Sequence, residues 1–281
     1  VAVRVKSESL AFSFFDVEVQ VTVTDPVCKK LLLANYGFFQ VSSKCPVLSY
    51  VVNRRKADRF LILRGSDPPL QAHDDGDFLF LFEKDLTIEL QKLRPALYFV
   101  HAAALQFQNK GLMLIALSGG GKSTTTWALC HHGFRYLSDE LGPVDLKTLE
   151  VVPYPHALNL KKTPPSPYAL PLQTVRTSRS LHVPVEALPG GVQSTPAPLA
   201  AIFFLFYRPD ACSPEIQPVN RAEAGARLFA NALNALAHPG DGLDAALEIA
   251  ANCSCFELTS NDLMETCRIV SKTMETLRNS G

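Results

Sequence analysis

The chain has 281 residues, 47% of them apolar, and its 27 lysines and arginines balance 27 aspartates and glutamates. That length allows one large domain or two modest ones, and the apolar fraction is that of a folded protein. A neutral chain without a basic block offers no electrostatic footing for nucleic acid or for an anionic membrane surface, so neither is expected as a partner.

The run Leu199–Tyr207 is too short to cross a bilayer as a helix. No charged start followed by an apolar core and a small-residue cleavage site opens the chain, so a cytoplasmic protein is expected. The chain starts at Val1 rather than Met, and a few preceding residues are expected. The seven cysteines contain no CxxC pair, which points to buried free thiols rather than a zinc ribbon.

Residues 1–84 read as a β-rich N-terminal subdomain. The segment 17–23, VEVQVTV, alternates valine with polar residues, the period of a half-buried strand. Strands are expected at 47–55, 59–65 and 77–83, separated by turn clusters that include TDP and RKAD, in a small antiparallel meander. Residues 85–281 read as the second unit. It opens on a helix over 85–97, with Leu86, Ile88, Leu90 and Leu93 on its apolar face.

Two strands follow, 98–105 and 111–117, joined as a hairpin. The second is almost wholly apolar and fits a strand buried on both faces. A Gly-rich loop, a helix closed by Gly133 and the strand FRYLSDE come next. Residues 153–198 hold ten of the twenty prolines and read either as a mobile surface loop or as a substrate-facing lid. The remainder is a core strand at 199–207, helices at 220–236 and 242–252, a strand at 255–260 and a closing helix at 261–279.

The loop carries the first chemistry. In SGGGKST, Ser118, Gly119, Gly120, Gly121, Lys122, Ser123 and Thr124 lie between an apolar strand and a helix. Backbone N–H groups in such a turn point at a phosphate chain, and the helix N-terminus adds partial positive charge. Lys122 supplies a full charge to the outer phosphates and Ser123 a hydroxyl to Mg²⁺. The usual first glycine of this pattern falls at Ala116.

Asp139 lies seventeen residues beyond Lys122. A short helix and a return strand bring it back beside the loop, where a carboxylate can accept a proton from a hydroxyl or hold Mg²⁺. Glu140 points to the other side of an extended chain and takes a different role or caps a turn. Lys161 and Lys162 either clamp a phosphate or form a solvated pair. Arg176 and Arg179 either bind an acidic part of a substrate or belong to a solvated loop, the latter preferred; His131 and His132 read as a helix terminus and Trp127 as core.

Taken together, HAAAL (101–105), the loop and GFRYLSDE (133–140) make the chain resemble the HPr serine kinase/phosphorylase superfamily. More narrowly it resembles the HPr-kinase-related proteins of peptide-modification clusters, including lasso-peptide precursor kinases. The likeness covers roughly 85–281 and extends to YPHALNLKK (154–162), with Glu140 in place of that family's second Asp.

The resemblance implies an α/β fold: a phosphoenolpyruvate-carboxykinase-like P-loop core behind the smaller β-rich region. It implies ATP and Mg²⁺ as cofactors and Asp139 as general base toward a Ser or Thr hydroxyl. It further implies His101 near the phosphates and a basic residue, Lys161, facing the transferred group. Ser123, Asp139 and Glu140 are the expected metal ligands. The expected acceptor is a small protein or peptide, and homo-oligomers are possible in such a family. A kinase of a small hydroxylated metabolite and a non-catalytic nucleotide-sensing scaffold remain alternatives.

Overall fold

The computed structural model describes residues 7–42, 45–55 and 59–277. The RKAD turn and the last two residues of the closing helix fall partly or wholly outside these. In chain order the first elements are β1 (Glu8–Phe14), β2 (Val17–Val23), α1 (Pro26–Tyr36), β3 (Leu48–Arg54), β4 (Phe60–Arg64), β5 (Leu70–Ala72) and α2 (Asp75–Leu93). Then come β6 (Leu97–Val100), β7 (Ala103–Phe107), β8 (Lys110–Ile115), α3 (Lys122–Cys130), β9 (Arg135–Ser138), β10 (Gly142–Asp145) and β11 (Glu150–Val151). A small sheet follows from β12 (Leu158–Leu160), β13 (Val175–Arg176) and β14 (Leu181–Val183). The chain closes with β15 (Ala197–Tyr207), β16 (Glu215–Pro218), α4 (Arg221–Ala230), α5 (Leu243–Asn252), β17 (Ser254–Ser260) and α6 (Leu263–Thr276). The architecture is mixed α/β with several sheets.

The N-terminal sheet runs β1-β2-β3-β4-β5 and is not a pure meander, because β2 and β3 are parallel. Parallel neighbours need a crossover, and α1 supplies it. Asp25 caps α1 by accepting from the Val27 N–H at 2.8 Å, and Pro26 occupies its first turn.

The strand expected at 77–83 is the front of α2. Asp74 caps the helix by accepting from the Asp77 N–H at 2.8 Å, so it starts at Asp75, ahead of the expected start at Asp85. Phe78, Leu79, Phe82, Leu86 and Leu90 are buried at three- and four-residue spacing, while Phe80, Ile88 and Leu93 are left exposed. The helix runs through position 84, and its buried side chains join the core of the N-terminal sheet.

The central sheet runs β6-β10-β11-β15-β8-β7-β9, with β17 beside β15. β8, β15 and β17 are parallel. On β8, Leu112 and Leu114 face α3 and α6, whereas Met113 and Ile115 face α4 and α5. That alternation explains why the strand is apolar throughout Leu112–Ile115: both faces are covered by helices. The helix expected over 220–236 ends at Ala230, followed by a short 3-10 turn at Ala235–Ala237.

The proline-rich stretch is folded rather than loose. β12 and β13 both pair with β14, and Leu158, Leu160, Tyr168, Val183 and Leu188 are buried under α3. Trp127 of α3 is in this core and donates its indole N–H to the Tyr168 carbonyl at 3.0 Å. Among the described residues no helix is long and apolar enough to cross a membrane.

Candidate functional site

Sheet direction assembles the site. β8 and β9 both pair antiparallel with β7, so they run the same way and end on the same edge. The phosphate loop leaves the end of β8, Asp139 and Glu140 leave the end of β9, and His101 precedes the start of β7 on that same edge. The three segments are thus one or two strand spacings apart, roughly 5–10 Å. The carboxyl edge of parallel strands is where α/β sheets bind ligands.

The loop has the backbone that its glycines allow. Gly119 and Gly121 take φ of 84° and 91°, and Gly121 caps α3 in the left-handed region. A Cβ on Gly119 would meet nothing, so its need is conformational rather than steric. The Gly120 N–H donates back to the Leu117 carbonyl at 2.8 Å, closing the turn.

Lys122, on the first turn of α3, is only 6% exposed. Its Nζ lies 3.0 Å from Glu140 Oε2 and 3.8 Å from Asp139 Oδ1. Ser123 Oγ donates to Asp139 Oδ2 at 2.8 Å. Asp139 has no exposed surface, and its Oδ1 has no hydrogen-bond partner. Burial, reinforced by the neighbouring Glu140 charge, pushes the Asp139 carboxyl above the usual range despite Lys122 and Ser123.

Glu140 is the opposite case. It is half-exposed and lines the cavity. Burial works against its charge, but the hydrogen bond from His101 and the charge of Lys122 outweigh that and hold the carboxyl well below the usual range. His101 Nε2 lies 2.6 Å from Glu140 Oε2.

Glu140 also carries a φ of 65°. Phe15, Asp16, Gln108 and Leu149 share the left-handed region, but they sit in hairpin turns, where it is ordinary. The Leu141 N–H donates to the Asp139 carbonyl at 2.8 Å, which closes a three-residue γ-turn centred on Glu140. Such a turn is rare and costs about 1–3 kcal/mol, and strain of this kind gathers at functional sites.

A second ligand holds that turn. His156, 1% exposed, donates its Nε2–H to the same Asp139 carbonyl at 2.8 Å, since a carbonyl can only accept. Glu83 of α2 lies 3.4 Å from the same nitrogen, and burial pushes its carboxyl upward. Glu83 escaped the sequence reading because 77–83 read as a strand. His156 entered only as part of a longer segment. The signal available for Glu83 was the acidic cap in HDDGD, which starts a helix and sets its register.

Lys161 follows β12 and donates to Ser118 Oγ at 2.6 Å, so it stands at the loop. Lys162 lines the same cavity without a side-chain partner among the described residues. Arg179 stays half exposed, as a solvated loop residue would, while pairing with Asp77 at 2.6 Å and stacking 5.0 Å over the Phe80 ring. Ser118, Gly119, Gly121, Lys122, Ser123, Thr124, Glu140, His101 and Lys161 all line one cavity of about 710 Å3; Asp139 lies behind it.

Among the described residues no cluster of three His, Cys, Asp or Glu side chains is arranged to hold a metal. Mg²⁺ at a phosphate loop takes most of its ligands from phosphate and water, with one or two protein oxygens. Ser123 Oγ beside the unpartnered, buried Asp139 Oδ1 fits that need.

No protein-family model matches the chain, and no curated protein matches it. Among solved structures, the HPr(Ser) kinase/phosphatase from Coxiella burnetii aligns with 63% of this chain and 98% of its own, at 12% identity and a TM-score of 0.32. A superposition that loose adds no weight to the geometry above.

Proposed function

We propose that the chain is an ATP- and Mg²⁺-dependent phosphotransferase that delivers the γ-phosphate to a Ser or Thr hydroxyl of a small protein or peptide. The observation that carries this reading is the convergence of Lys122 and Ser123 with two carboxylates of opposite character, one buried and one facing the cavity. In this proposal residues 85–281 form a P-loop kinase core of the phosphoenolpyruvate-carboxykinase-like kind. Residues 1–84 form the β-rich front region, and α2 is shared between the two.

The loop amides and Lys122 hold the triphosphate, and Ser123 with Asp139 would hold Mg²⁺. The metal, when bound, neutralises charge on the β- and γ-phosphates. The role of base, expected for Asp139, goes to Glu140 instead. Asp139 has no surface from which to meet a hydroxyl, whereas Glu140 lines the cavity. Phosphate oxygens compete for Lys122, leaving the Glu140 carboxylate, steadied by His101, to accept the hydroxyl proton. Lys161 balances charge on the group in transfer. Such transfer rests on positioning and charge more than on covalent chemistry.

The test is transfer of label from γ-labelled ATP with the whole chain, run against a pool of Ser/Thr peptides and a pool of hydroxylated metabolites. Labelled peptide is the expected result. Labelled metabolite alone moves the chain to the small-molecule kinases, and bound ATP with no transfer to either pool leaves a nucleotide-sensing scaffold.

A further inference from the structure

The cavity wall across from the phosphate loop belongs to other elements. Phe80, Glu83, Lys84 and Thr87 line it from α2, spaced by three and four residues and so on one helix face. Asn159 and His182, paired across β12 and β14, line it from the small sheet.

The two parts are clipped together. A Cβ on Gly76 would stand 2.5 Å from Ser178 Oγ and 2.9 Å from the Arg179 nitrogen, so helix and turn touch at the backbone. The Ser178 N–H donates to Asp75 Oδ1 at 3.2 Å, and the Arg179–Asp77 pair closes the end.

Charge is concentrated here. Five cations line the cavity, Lys84, Lys122, Lys161, Lys162 and Arg179, against two carboxylates, Glu83 and Glu140, in a chain of zero formal charge. Lys122 and Lys161 serve the loop, and Arg179 is held by Asp77. Lys84 and Lys162 are exposed, and neither has a side-chain partner among the described residues. Beside them Phe80 is 52% exposed, and across the rim Leu117 is 81% exposed.

We propose that this wall is the acceptor site and that the acceptor is an extended peptide segment with acidic side chains next to its Ser or Thr. The proposal rests on the phosphotransferase reading above. Lys84 and Lys162 take the carboxylates, and Phe80 takes a neighbouring apolar group. The stripe from Phe80 to Thr87 is about 10 Å long at a helical rise of 1.5 Å per residue, the span of roughly three extended residues. A metabolite with one hydroxyl would leave most of that length uncontacted.

The experiment uses the full chain, γ-labelled ATP and a peptide array in which Ser or Thr is flanked by Asp/Glu, Ala or Lys. Acidic flanks are expected to raise kcat/KM about tenfold over alanine flanks, the effect of two partly exposed charge pairs. The double variant Lys84→Ala/Lys162→Ala is expected to erase that preference, and Lys84→Glu/Lys162→Glu to invert it in favour of lysine-flanked peptides. Both variants keep MgATP affinity, measured by titration without peptide, within about threefold. Equal labelling of acidic and neutral peptides overturns the acceptor assignment, as does an undiminished acidic preference in the charge-reversed variant. MgATP binding without labelling of any peptide also overturns it while leaving the nucleotide site standing. Failure of the unaltered chain to bind MgATP overturns the phosphotransferase reading itself.

Discussion

Two walls of the same cavity are built by different physics. The phosphate-loop wall is one contiguous segment, residues 118–124, whose shape comes from the left-handed backbone at Gly119 and Gly121 and from the start of α3. The facing wall joins α2 to a small sheet some seventy to one hundred residues later, through the Gly76–Ser178 contact and the Arg179–Asp77 pair. The first wall presents main-chain donors, so its chemistry is generic to phosphate. The second presents side chains, which is why the proposal assigns acceptor specificity to it. Variants that damage one wall should leave the other's partner bound.

The largest effect falls on the loop wall. Lys122→Ala removes the one full charge on the loop and is expected to weaken MgATP binding about a hundredfold, with transfer lost. Calorimetric titration of MgATP reads this directly, and affinity within threefold of the unaltered chain contradicts the loop's role.

Asp139→Asn is next. The amide keeps the volume and can still meet Ser123, but it removes the unpartnered carboxylate oxygen. The Mg²⁺ concentration giving half-maximal transfer is expected to rise about tenfold, with MgATP still bound at saturating metal. An unchanged metal requirement removes Asp139 from the metal site.

Gly76→Val strikes the facing wall. The added Cβ would fall 2.5 Å from Ser178 Oγ and 2.9 Å from the Arg179 main chain, so α2 and the turn must part. A loss of about 1–3 kcal/mol in stability is expected, with a raised KM for acceptor and an unchanged Kd for MgATP. A rise in both constants would mean that the walls are not separable.

Glu83→Gln has the smallest effect and a distinct pH signature. Burial raises the folded pKa of Glu83, so the folded chain retains a proton that the unfolded chain releases. The unaltered chain therefore loses stability as pH rises from the ordinary glutamate range through the raised value. Gln escapes that loss. The variant is expected to melt about 1–3 °C higher at pH 8, and the gain is expected to vanish below pH 4. A gain that persists at low pH points to packing instead of charge.

How much of this was legible follows the same division. The loop, its helix and the Asp139–Glu140 pair are local patterns: an apolar run, glycines, a lysine and a strand exit. The strand directions that bring His101 to the same edge are not local, and His101 stood out only through the resemblance of its segment.

In DFLFLFE, Phe78, Phe80 and Phe82 alternate as a strand would. The helix prevails because Asp74 caps it and because burial follows Phe78, Leu79, Phe82 and Leu86, leaving Phe80 outside. The cap of α1 was visible in TDP but read as a turn, since Asp-Pro serves both. Prolines in 153–198 mark turns between strands of two and three residues. Such strands carry too little periodicity to be read, and their stability comes from packing under α3. The contrast between Asp139 and Glu140 was not readable at all, because it depends on which carboxylate faces the cavity.

In the proposed reaction Glu140 is the group that meets the acceptor hydroxyl. The decisive measurement is single-turnover labelling of the peptide pool at saturating MgATP by the unaltered chain and by Glu140→Gln, side by side. A fall of about 10²–10⁴ in rate with nucleotide still bound is the predicted result. Labelling by the glutamine variant at the unaltered rate would contradict it.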